Sequence, residues 1–542
     1  MVILIKGLNH HFFLHMARWT IEIFASLRVA GRYGLRYQNA GTLQLLAGGL
    51  IAVTLVAPAS ATEVWTVVPK LMLTESYSDN VTLNQASSSQ GGWVTEAVPG
   101  LFIEHKGARA YLYVNYELHH FFYDKQSQSD RTQNLLSSNA RIEAIDNWLF
   151  VDALANISQQ NRSAFGPSTA SDSLGASSNR VETSTYQVAP NIRGRLSNYA
   201  NYQARVSGTQ SHTGDGALPD TKTTDWTGQI KSVPSTARIG WSIDGNSLIF
   251  RNDVVGKRED SRIRGSIIFE IDPQLRFSVS GGREITNYST PAKTATATSG
   301  VGIEWSPTSR TRIAAVQERR FFGNGHIYFF SHRTPLTAWR ISSSRDVTVL
   351  PTQLASAQRG STYDLLNDLL TSAIPDPISR GSAIDRRLQV SGIPANAALG
   401  RGFLTGRPFL NLNHEASIAL LGATNTATFT FSQTEQRGLG LFTRGADSFS
   451  LSNNIRQRAF NLNWARKLSA LSTLTLIATS LRTEALDAIN LESKQYSLNV
   501  FMSTQLSPKA TASLGVRHIK FESSADAGYE ENVLFASIAI RF

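Results

Sequence analysis

The sequence predicts an all-β fold: a transmembrane antiparallel β-barrel of about 18–22 strands, with a best value near 20. Three observations predict it. Apolar and polar residues alternate with a period of two in many segments, short turns alternate with long polar loops, and the chain ends on an aromatic residue within such a segment. Because no low-complexity linker divides the 542 residues, one large barrel explains the length better than several soluble domains.

Residues 1–61 are interpreted as a signal peptide or leader, and residues 62–542 as the barrel. An apolar run, Leu43–Val56, is followed by the small residues APASA, which favour cleavage after Ala61. The run is shorter than the ~20 residues that a membrane-spanning helix needs, so an uncleaved anchor is the weaker alternative. The leader is long, which leaves Met16 open as an alternative start. Export of this kind predicts a location in the bacterial outer membrane.

The strands are predicted from side-chain alternation. In AYLYVNYELHHFF (110–122), for example, Leu112, Val114 and Tyr116 share one face, and Asn115 and Glu117 share the other. A soluble β-sandwich alternates in the same way, so alternation alone does not decide the fold. The signal peptide, the length and the aromatic end together favour a barrel with its apolar face toward lipid and its polar face toward a lumen. Girdles are expected from aromatic residues near the strand ends, namely Tyr111, Trp148, Trp241, Trp305 and Trp464.

Two kinds of connection join the strands. Tight turns such as WSPTSR (305–310) and LSPKAT (506–511) contain proline, which presets the turn and ends the ladder. Longer connections, such as 158–180 and 213–220, are rich in Ser, Asn, Asp and Gly. The tight turns are therefore assigned to the periplasmic rim and the long loops to the outer rim.

Residues 347–404 interrupt the alternation. Leu365, Leu366 and Leu369 lie at helical spacing, with Ser361 as a predicted N-cap and Pro375 as the stop. The segment is expected to be a long loop with a short helix. It is interpreted as a lumen constriction or lid, with a helix packed on an external loop as the alternative.

The sequence carries little catalytic chemistry. It has no cysteine, which excludes disulfides and thiolate sites, and it has no nucleophile elbow, zinc helix or P-loop. His119 and His120 are adjacent on a predicted strand and should point to opposite faces. The protein is therefore predicted to be no enzyme, with no cofactor and no metal site.

One basic and aromatic cluster is a candidate for lumen or ligand contact. In a channel, its cations would attract anions, and the aromatic residues between them could stack on sugar rings. An anionic exopolysaccharide is the candidate ligand, and nucleic acid is not expected to be a partner. The alternative is that these residues are structural lining. The candidate residues are Arg319, Arg320, His326, His332, Arg333 and Arg340.

Several segments resemble the PEP-CTERM system-associated outer-membrane protein family: ESYSDNVTL (75–83), VTEAVPGLFIE (94–104), DNWLFVDALANISQQN (146–161), FGPSTASD (165–172) and RRFFGNGHIYFFSHRTPLTAW (319–339). The resemblance implies a Gram-negative outer-membrane barrel in the exosortase setting, where exopolysaccharide and biofilm matrix are common partners. It implies no catalytic residues.

The expected function is a porin-like channel or secretion accessory for exopolysaccharide. A non-conducting barrel that docks matrix components is the alternative. The net charge of the chain is +11, but the leader through Ala61 has five Lys or Arg and one acid, which leaves +7 for the mature chain. A mildly basic surface of this kind suits lipopolysaccharide at the rim as well as a ligand in the pore, so outer-membrane lipid and lipopolysaccharide are expected partners.

The last strand, which ends on Phe542, resembles the C-terminal signature that the barrel-assembly machinery recognises. We expect deletion of Phe542 to lower the amount of protein assembled in the outer membrane, measured by quantitative fractionation. Unchanged assembly would argue against a role for Phe542 as an assembly signal.

Overall fold

The computed structural model describes most of the predicted barrel, and Glu63–Phe542 form one compact unit. The predicted leader, 1–61, lies outside the described residues, as does Pro375. The described residues are 64–542 except for 125–129, 168–173, 175–176, 178, 217, 234–237, 357–360, 372–379, 382–383, 385–402, 441–446, 488–489 and 525–526.

Twenty-two antiparallel strands of the described chain form a single sheet, which confirms the predicted fold class and lies at the upper end of the predicted strand number. The strands are β1 (Val64–Ser78), β2 (Gly92–Lys106), β3 (Ala110–Tyr123), β4 (Arg131–Ile145), β5 (Leu149–Asn161), β6 (Arg180–Leu196), β7 (Ala200–Thr213), β8 (Thr221–Ser232), β9 (Ile239–Asn252), β10 (Gly256–Asp272), β11 (Leu275–Thr286), β12 (Thr294–Thr308), β13 (Thr311–Arg320), β14 (Gly323–Arg333), β15 (Thr337–Thr348), β16 (Phe409–Leu421), β17 (Asn425–Gly438), β18 (Asn454–Lys467), β19 (Ser472–Ala485), β20 (Glu492–Ser507), β21 (Ala510–Ser523) and β22 (Tyr529–Arg541).

The sheet closes on itself. Each strand pairs with the next along the chain, and β22 pairs with β1 from Lys70↔Arg541 to Ser78↔Val533. The backbone N–H of Phe542 extends this seam by donating to the carbonyl of Pro69 at 2.9 Å. A closed sheet satisfies its backbone hydrogen bonds without water, which is the condition for crossing a bilayer with strands.

The outer face of the barrel is apolar. On β1, the exposed side chains Trp65, Val67, Leu73 and Tyr77 point outward, and the alternate residues from Thr74 to Ser78 are buried on the inner face. Trp65 and Tyr77 are twelve positions apart, which is roughly 40 Å along the strand and roughly 30 Å across the membrane at a tilt of about 40°. The two aromatic residues thus bracket a band as thick as a hydrocarbon core. The protein is an outer-membrane β-barrel.

Three of the five predicted girdle residues, Trp241, Trp305 and Trp464, lie on the outer face near the periplasmic strand ends. Trp148 lies in the β4–β5 turn, where its Nε1 donates to the hydroxyl of Tyr202 at 2.9 Å. The prediction for Tyr111 is wrong, because the odd positions of β3 face inward and Tyr111 lies opposite Arg141 on the lumen wall. Asn115 and Glu117 also point inward, and Tyr111 lies an even number of residues from both, so its side chain is on the same face.

Helices are few. The loop between β15 and β16 contains α1 (Leu350–Ser356) and α2 (Ser361–Leu370), and single 3-10 turns occupy Ala86–Ser88, Gly214–Gly216 and Ser448–Ser450. The predicted short helix is therefore present and begins at Ser361. Within the described ranges, no helix combines the length and hydrophobicity required to span a bilayer.

Gly515 provides a close approach on the inner face of β21. It lies opposite Phe501 of β20 and Phe535 of β22, whose rings are 6.4 Å apart. A Cβ atom at this position would overlap Cβ of Phe501 and lie 2.6 Å from Cζ of Phe535. The two aromatic side chains thus cover the glycine from both neighbouring strands.

We expect Gly515→Ala to destabilise the barrel by about 1–3 kcal/mol, because the added methyl group displaces one of the two rings. The measurement is the urea concentration at the midpoint of unfolding in detergent. Unfolding is detected by the difference in gel mobility between the folded and the unfolded barrel. Gly228→Ala is the matched control, since no atom lies within 4 Å of its added Cβ. Equal midpoints for the two variants would contradict the packing argument.

Candidate functional site

The inner face of β4–β10 carries a polar cavity of about 730 Å³. Its residues belong mainly to the periplasmic halves of these strands, where alternation turns every second side chain toward the lumen. Five arginines, three aspartates and four side-chain amides contribute to it. They are Arg141, Arg193, Arg205, Arg262, Arg264, Asp152, Asp225, Asp244, Asn191, Gln203, Gln229 and Asn246.

Two of these aspartates accept hydrogen bonds from neighbouring side chains of the wall. Asp152 accepts from Nε of Arg141 at 2.7 Å and from Nδ2 of Asn191 at 3.0 Å. Asp244 accepts from Gln229 and from Ser242, the latter at 3.1 Å, and it also lies 3.5 Å from Nη2 of Arg264. Pairing of this kind lowers the cost of holding charge on a wall that faces a confined lumen.

Arg262 of β10 contacts side chains of strands on both sides of it. Its Nη1 donates to Glu318 of β13 at 2.8 Å, three strands away, and its Nε donates to Asn246 at 3.2 Å. Arg193 and Arg205 differ, because neither forms an ion pair among the described residues. The guanidinium of Arg193 instead lies 4.1 Å from the ring centroid of Phe150.

The opposite wall is covered by α2. Leu365, Leu366 and Leu369 pack against alanines that lie on the inner face at the periplasmic ends of three strands: Ala338 of β15, Ala419 of β16 and Ala465 of β18. Nη2 of Arg340 on β15 donates to Oδ2 of Asp368 at 2.8 Å. The β15–β16 loop starts and ends at the extracellular rim, so α2 extends this loop to the periplasmic end of the lumen.

The first helix of the same loop reaches a different wall. Leu350 and Leu354 of α1 pack with Val181 of β6 and with Leu404, and Leu218 borders this cluster. Strands β6 and β15 are nine positions apart in the sheet, so the contact crosses the mouth of the barrel.

Three extracellular loops meet above the lumen. An apolar cluster joins residues of the β5–β6, β15–β16 and β17–β18 loops to two strand ends: Ala164, Phe165, Phe403, Phe409, Phe449 and Ile455. Two hydrogen bonds tie the loops together, from Leu404 N–H to the Asn161 carbonyl and from Ala164 N–H to Oγ of Ser448, both at 2.9 Å. We call this assembly the lid, defined by residues 162–167, 403–408 and 447–453.

A buried ion pair fastens the lid. Nε of Arg407 donates to Oδ2 of Asp447 at 3.0 Å, Nη2 donates to Oδ1 at 2.6 Å, and the two side chains are 7% and 3% exposed. Thr405 donates to the same carboxylate at 2.7 Å, and Asn252 of β9 donates to the Gly406 carbonyl at 2.7 Å. Nearby, burial raises the pKa of Tyr288 in the β11–β12 loop.

The six residues singled out from the sequence do not form one cluster. Arg320, Arg333 and Arg340 face inward, but at different heights in the barrel. Alternation places the other three on the outer face: Arg319, His326, which bonds Ser343, and His332, which bonds Thr311. Ligand contact by any of the six stays a prediction.

Arg320 is part of a buried ionic network at the extracellular strand ends. Its Nε donates to Glu284 at 3.0 Å, its Nη2 lies 3.5 Å from Asp260, and its Nη1 pairs with Asp346. Three carboxylates from β10, β11 and β15 therefore converge on one guanidinium, which ties these strands together. Arg340 has a comparable role through Asp368, and Arg333 donates to the Ser309 carbonyl of a periplasmic turn at 3.2 Å.

The histidine pair follows the predicted alternation. His119 points inward, where Nδ1 lies 2.6 Å from Oε1 of Glu96, and His120 points outward to Thr132 at 2.7 Å. In the part of the chain that the structure describes, no group of three or more His, Asp or Glu side chains is arranged to hold a metal ion.

The sequence interpretation missed the arginines of β6 and β7. Arg193 and Arg205 lie within period-two segments, so strand register alone assigns them to the polar face. They form no cluster in the sequence, because the two side chains, which are neighbours in the sheet, are twelve positions apart along the chain.

No protein-family model matches the chain, and no curated protein matches it. Among solved structures, it is similar to the FrpB iron transporter from Neisseria meningitidis, F5-1 variant, at 9% identity and a TM-score of 0.45, with 88% of this chain and 82% of that chain covered. It is also similar to the siderophore receptor PirA from Pseudomonas aeruginosa, at 10% identity, a TM-score of 0.35 and coverages of 88% and 80%. A third is BauA, the ferric preacinetobactin receptor from Acinetobacter baumannii, at 9% identity, a TM-score of 0.38 and coverages of 88% and 81%.

We expect Arg407→Gln to loosen the lid. The substitution leaves the Asp447 carboxylate buried without its cation, which costs about 3–5 kcal/mol in a buried pair. Amide hydrogens of 403–408 and 447–453 should then exchange faster with deuterium. Arg276→Gln is the control, because it removes an inner-wall pair with Glu270 whose side chains are 42% and 29% exposed. Unchanged exchange in Arg407→Gln would show that the ion pair does not fasten the lid.

Proposed function

We propose that the protein is an outer-membrane channel for a matrix saccharide, with the β15–β16 loop as its gate. The observation that carries the proposal is the path of this loop. It crosses the mouth through α1, and it lines the lumen down to the periplasmic end through α2. A loop in this position narrows a passage that the closed sheet would otherwise leave wide.

The contacts of the gate are suited to displacement. Its helices pack on wall residues without contributing to the sheet, so their departure breaks no strand ladder. The exposed wall would then be polar on β4–β10 and lined by small side chains where α2 had packed. Polar side chains can replace part of the hydration of a passing solute.

Exopolysaccharide is the proposed solute. The guanidinium and amide groups of the cavity can bind carboxylate and hydroxyl groups, which are the polar groups of acidic sugars. The resemblance to the PEP-CTERM system-associated family supports the same assignment, because matrix polysaccharide is a common partner there. The protein would then act as a secretion accessory at the last barrier of export.

A docking barrel that conducts nothing is the second candidate. The packed aromatic lid favours it, since Phe403, Phe409 and Phe449 close the mouth through contacts of a folded core. In that case, the extracellular loops would hold matrix components at the cell surface, and the lumen would be a packed interior.

We expect replacement of residues 350–407 by Gly-Asn-Gly-Ser to increase single-channel conductance in a planar bilayer severalfold, because it removes both gate helices and Arg407. Strands β15 and β16 remain paired through a short hairpin loop. The matched control replaces 289–292 in the β11–β12 loop, where Thr290 bonds the Ala292 carbonyl at 2.8 Å. This control should conduct like the unmodified protein. Folded, membrane-inserted protein that conducts in neither form would refute the channel and support the docking barrel.

A further inference from the structure

We propose that four inward side chains of β6 and β7 form a binding site for a uronic-acid unit of an anionic saccharide. They are Asn191, Arg193, Gln203 and Arg205, which we call the arginine–amide quartet. The inference deepens the proposed function and rests on it, because it names the chemical class that the lumen would accept. It also moves the anion site away from the basic cluster that the sequence emphasised.

Register places the four side chains in a square. Arg193 lies directly opposite Gln203, and Asn191 lies directly opposite Arg205. Directly paired residues have Cβ atoms about 4.5–5.5 Å apart, and diagonal neighbours are about 7–8 Å apart. The two guanidinium groups therefore occupy diagonal corners and the two amides the other corners. A sugar ring that lies over such a square can contact all four groups.

Within the quartet, Arg193 and Arg205 supply positive charge that an anion in the cavity could bind. Arg141 is paired with Asp152, Arg262 with Glu318, and Arg264 with Asp244 and Glu318. Arg193 and Arg205 form no ion pair within the described ranges, although Asp225, which lies diagonal to Arg205 on β8, attracts it electrostatically. An incoming anion thus gains two cations without having to break a direct ion pair.

Phe150 orients one of these cations. The guanidinium carbon of Arg193 lies 4.1 Å from the centroid of the Phe150 ring, so the planar face of the guanidinium packs against the ring. Stacking leaves the N–H edges of a guanidinium for hydrogen bonds, and a carboxylate can accept two of them in parallel. The aromatic ring therefore fixes the plane in which a bidentate carboxylate would approach.

The surrounding carboxylates limit how much negative charge a bound ligand can carry. Asp152 and Asp244 border the quartet and would repel a ligand with closely spaced phosphates or sulfates. The side-chain N–H groups of Asn191 and Gln203 donate to Asp152 and Gln229, and their amide oxygens can accept hydrogen bonds from vicinal hydroxyl groups. One carboxylate and several hydroxyls on each ring describe a uronic acid.

The test is calorimetric titration of the full chain in detergent with trigalacturonate, and with maltotriose as the neutral probe of equal length. We expect trigalacturonate to bind at least tenfold more tightly than maltotriose, and its binding to weaken as salt rises from 0.1 to 1 M. In the double variant Arg193→Gln, Arg205→Gln, we expect trigalacturonate affinity to fall at least tenfold, because two charge-assisted contacts are lost.

Two further variants control this result. Arg283→Gln removes an arginine from the outer face of β11 and should leave affinity unchanged. The double variant Arg193→Lys, Arg205→Lys keeps the charge but loses the bidentate geometry, so its affinity should be intermediate. Correct folding of each variant is checked by the mobility shift of the unheated barrel.

Three outcomes would overturn the inference: no binding of trigalacturonate, equal binding of maltotriose, or unchanged affinity in the folded Gln double variant. Binding in solution does not depend on conductance, so this test and the test of the channel can fail separately. Loss of affinity in the double variant, together with absent conductance after gate removal, would support the quartet as a docking site and reject the channel.

Discussion

The hydrogen-bonded seam between β1 and β22 is the constraint on which the rest of the structure depends. A strand that faces acyl chains cannot leave its backbone groups unpaired, so the sheet must close or stay out of the membrane. Closure divides every strand into a lipid face and a lumen face, because successive side chains point to opposite sides. The polar wall, the inward path of the β15–β16 loop and the lid above it exist only because that closed surface encloses a space.

The charges inside the barrel fall into two groups with different physical roles. Arg320, His119 and Arg407 are buried against carboxylates, and each pairing joins two different strands or loops. Removing one partner of such a pair leaves an uncompensated buried charge, so these residues are structural. Arg193 and Arg205 are the cavity arginines outside such pairs among the described residues, which makes their charge available to a ligand.

The gate and the lid are held by different interactions. Aliphatic side chains of α2 pack on alanines of the wall, whereas the lid combines an aromatic cluster with one buried ion pair. The apolar contacts are non-directional and tolerate small shifts. The ion pair depends on geometry, because the two hydrogen bonds from Arg407 to Asp447 require both loops to be in place. Separation of the loops therefore breaks both the ion pair and the aromatic cluster.

The sequence by itself determined the fold class, the two faces of most strands and the short helix at Ser361, because local alternation and helical spacing report them directly. The 22 strands lie at the upper end of the predicted range, and two of their hairpins turn at 253–255 and 321–322 on the extracellular rim, where long loops were expected. The sequence also grouped residues that are neighbours only along the chain: Arg319 and Arg320 point to opposite faces. Only the tertiary structure decided which wall each gate helix touches and which of the described cavity arginines form ion pairs, because both depend on contacts between residues far apart in the chain, which no local pattern encodes.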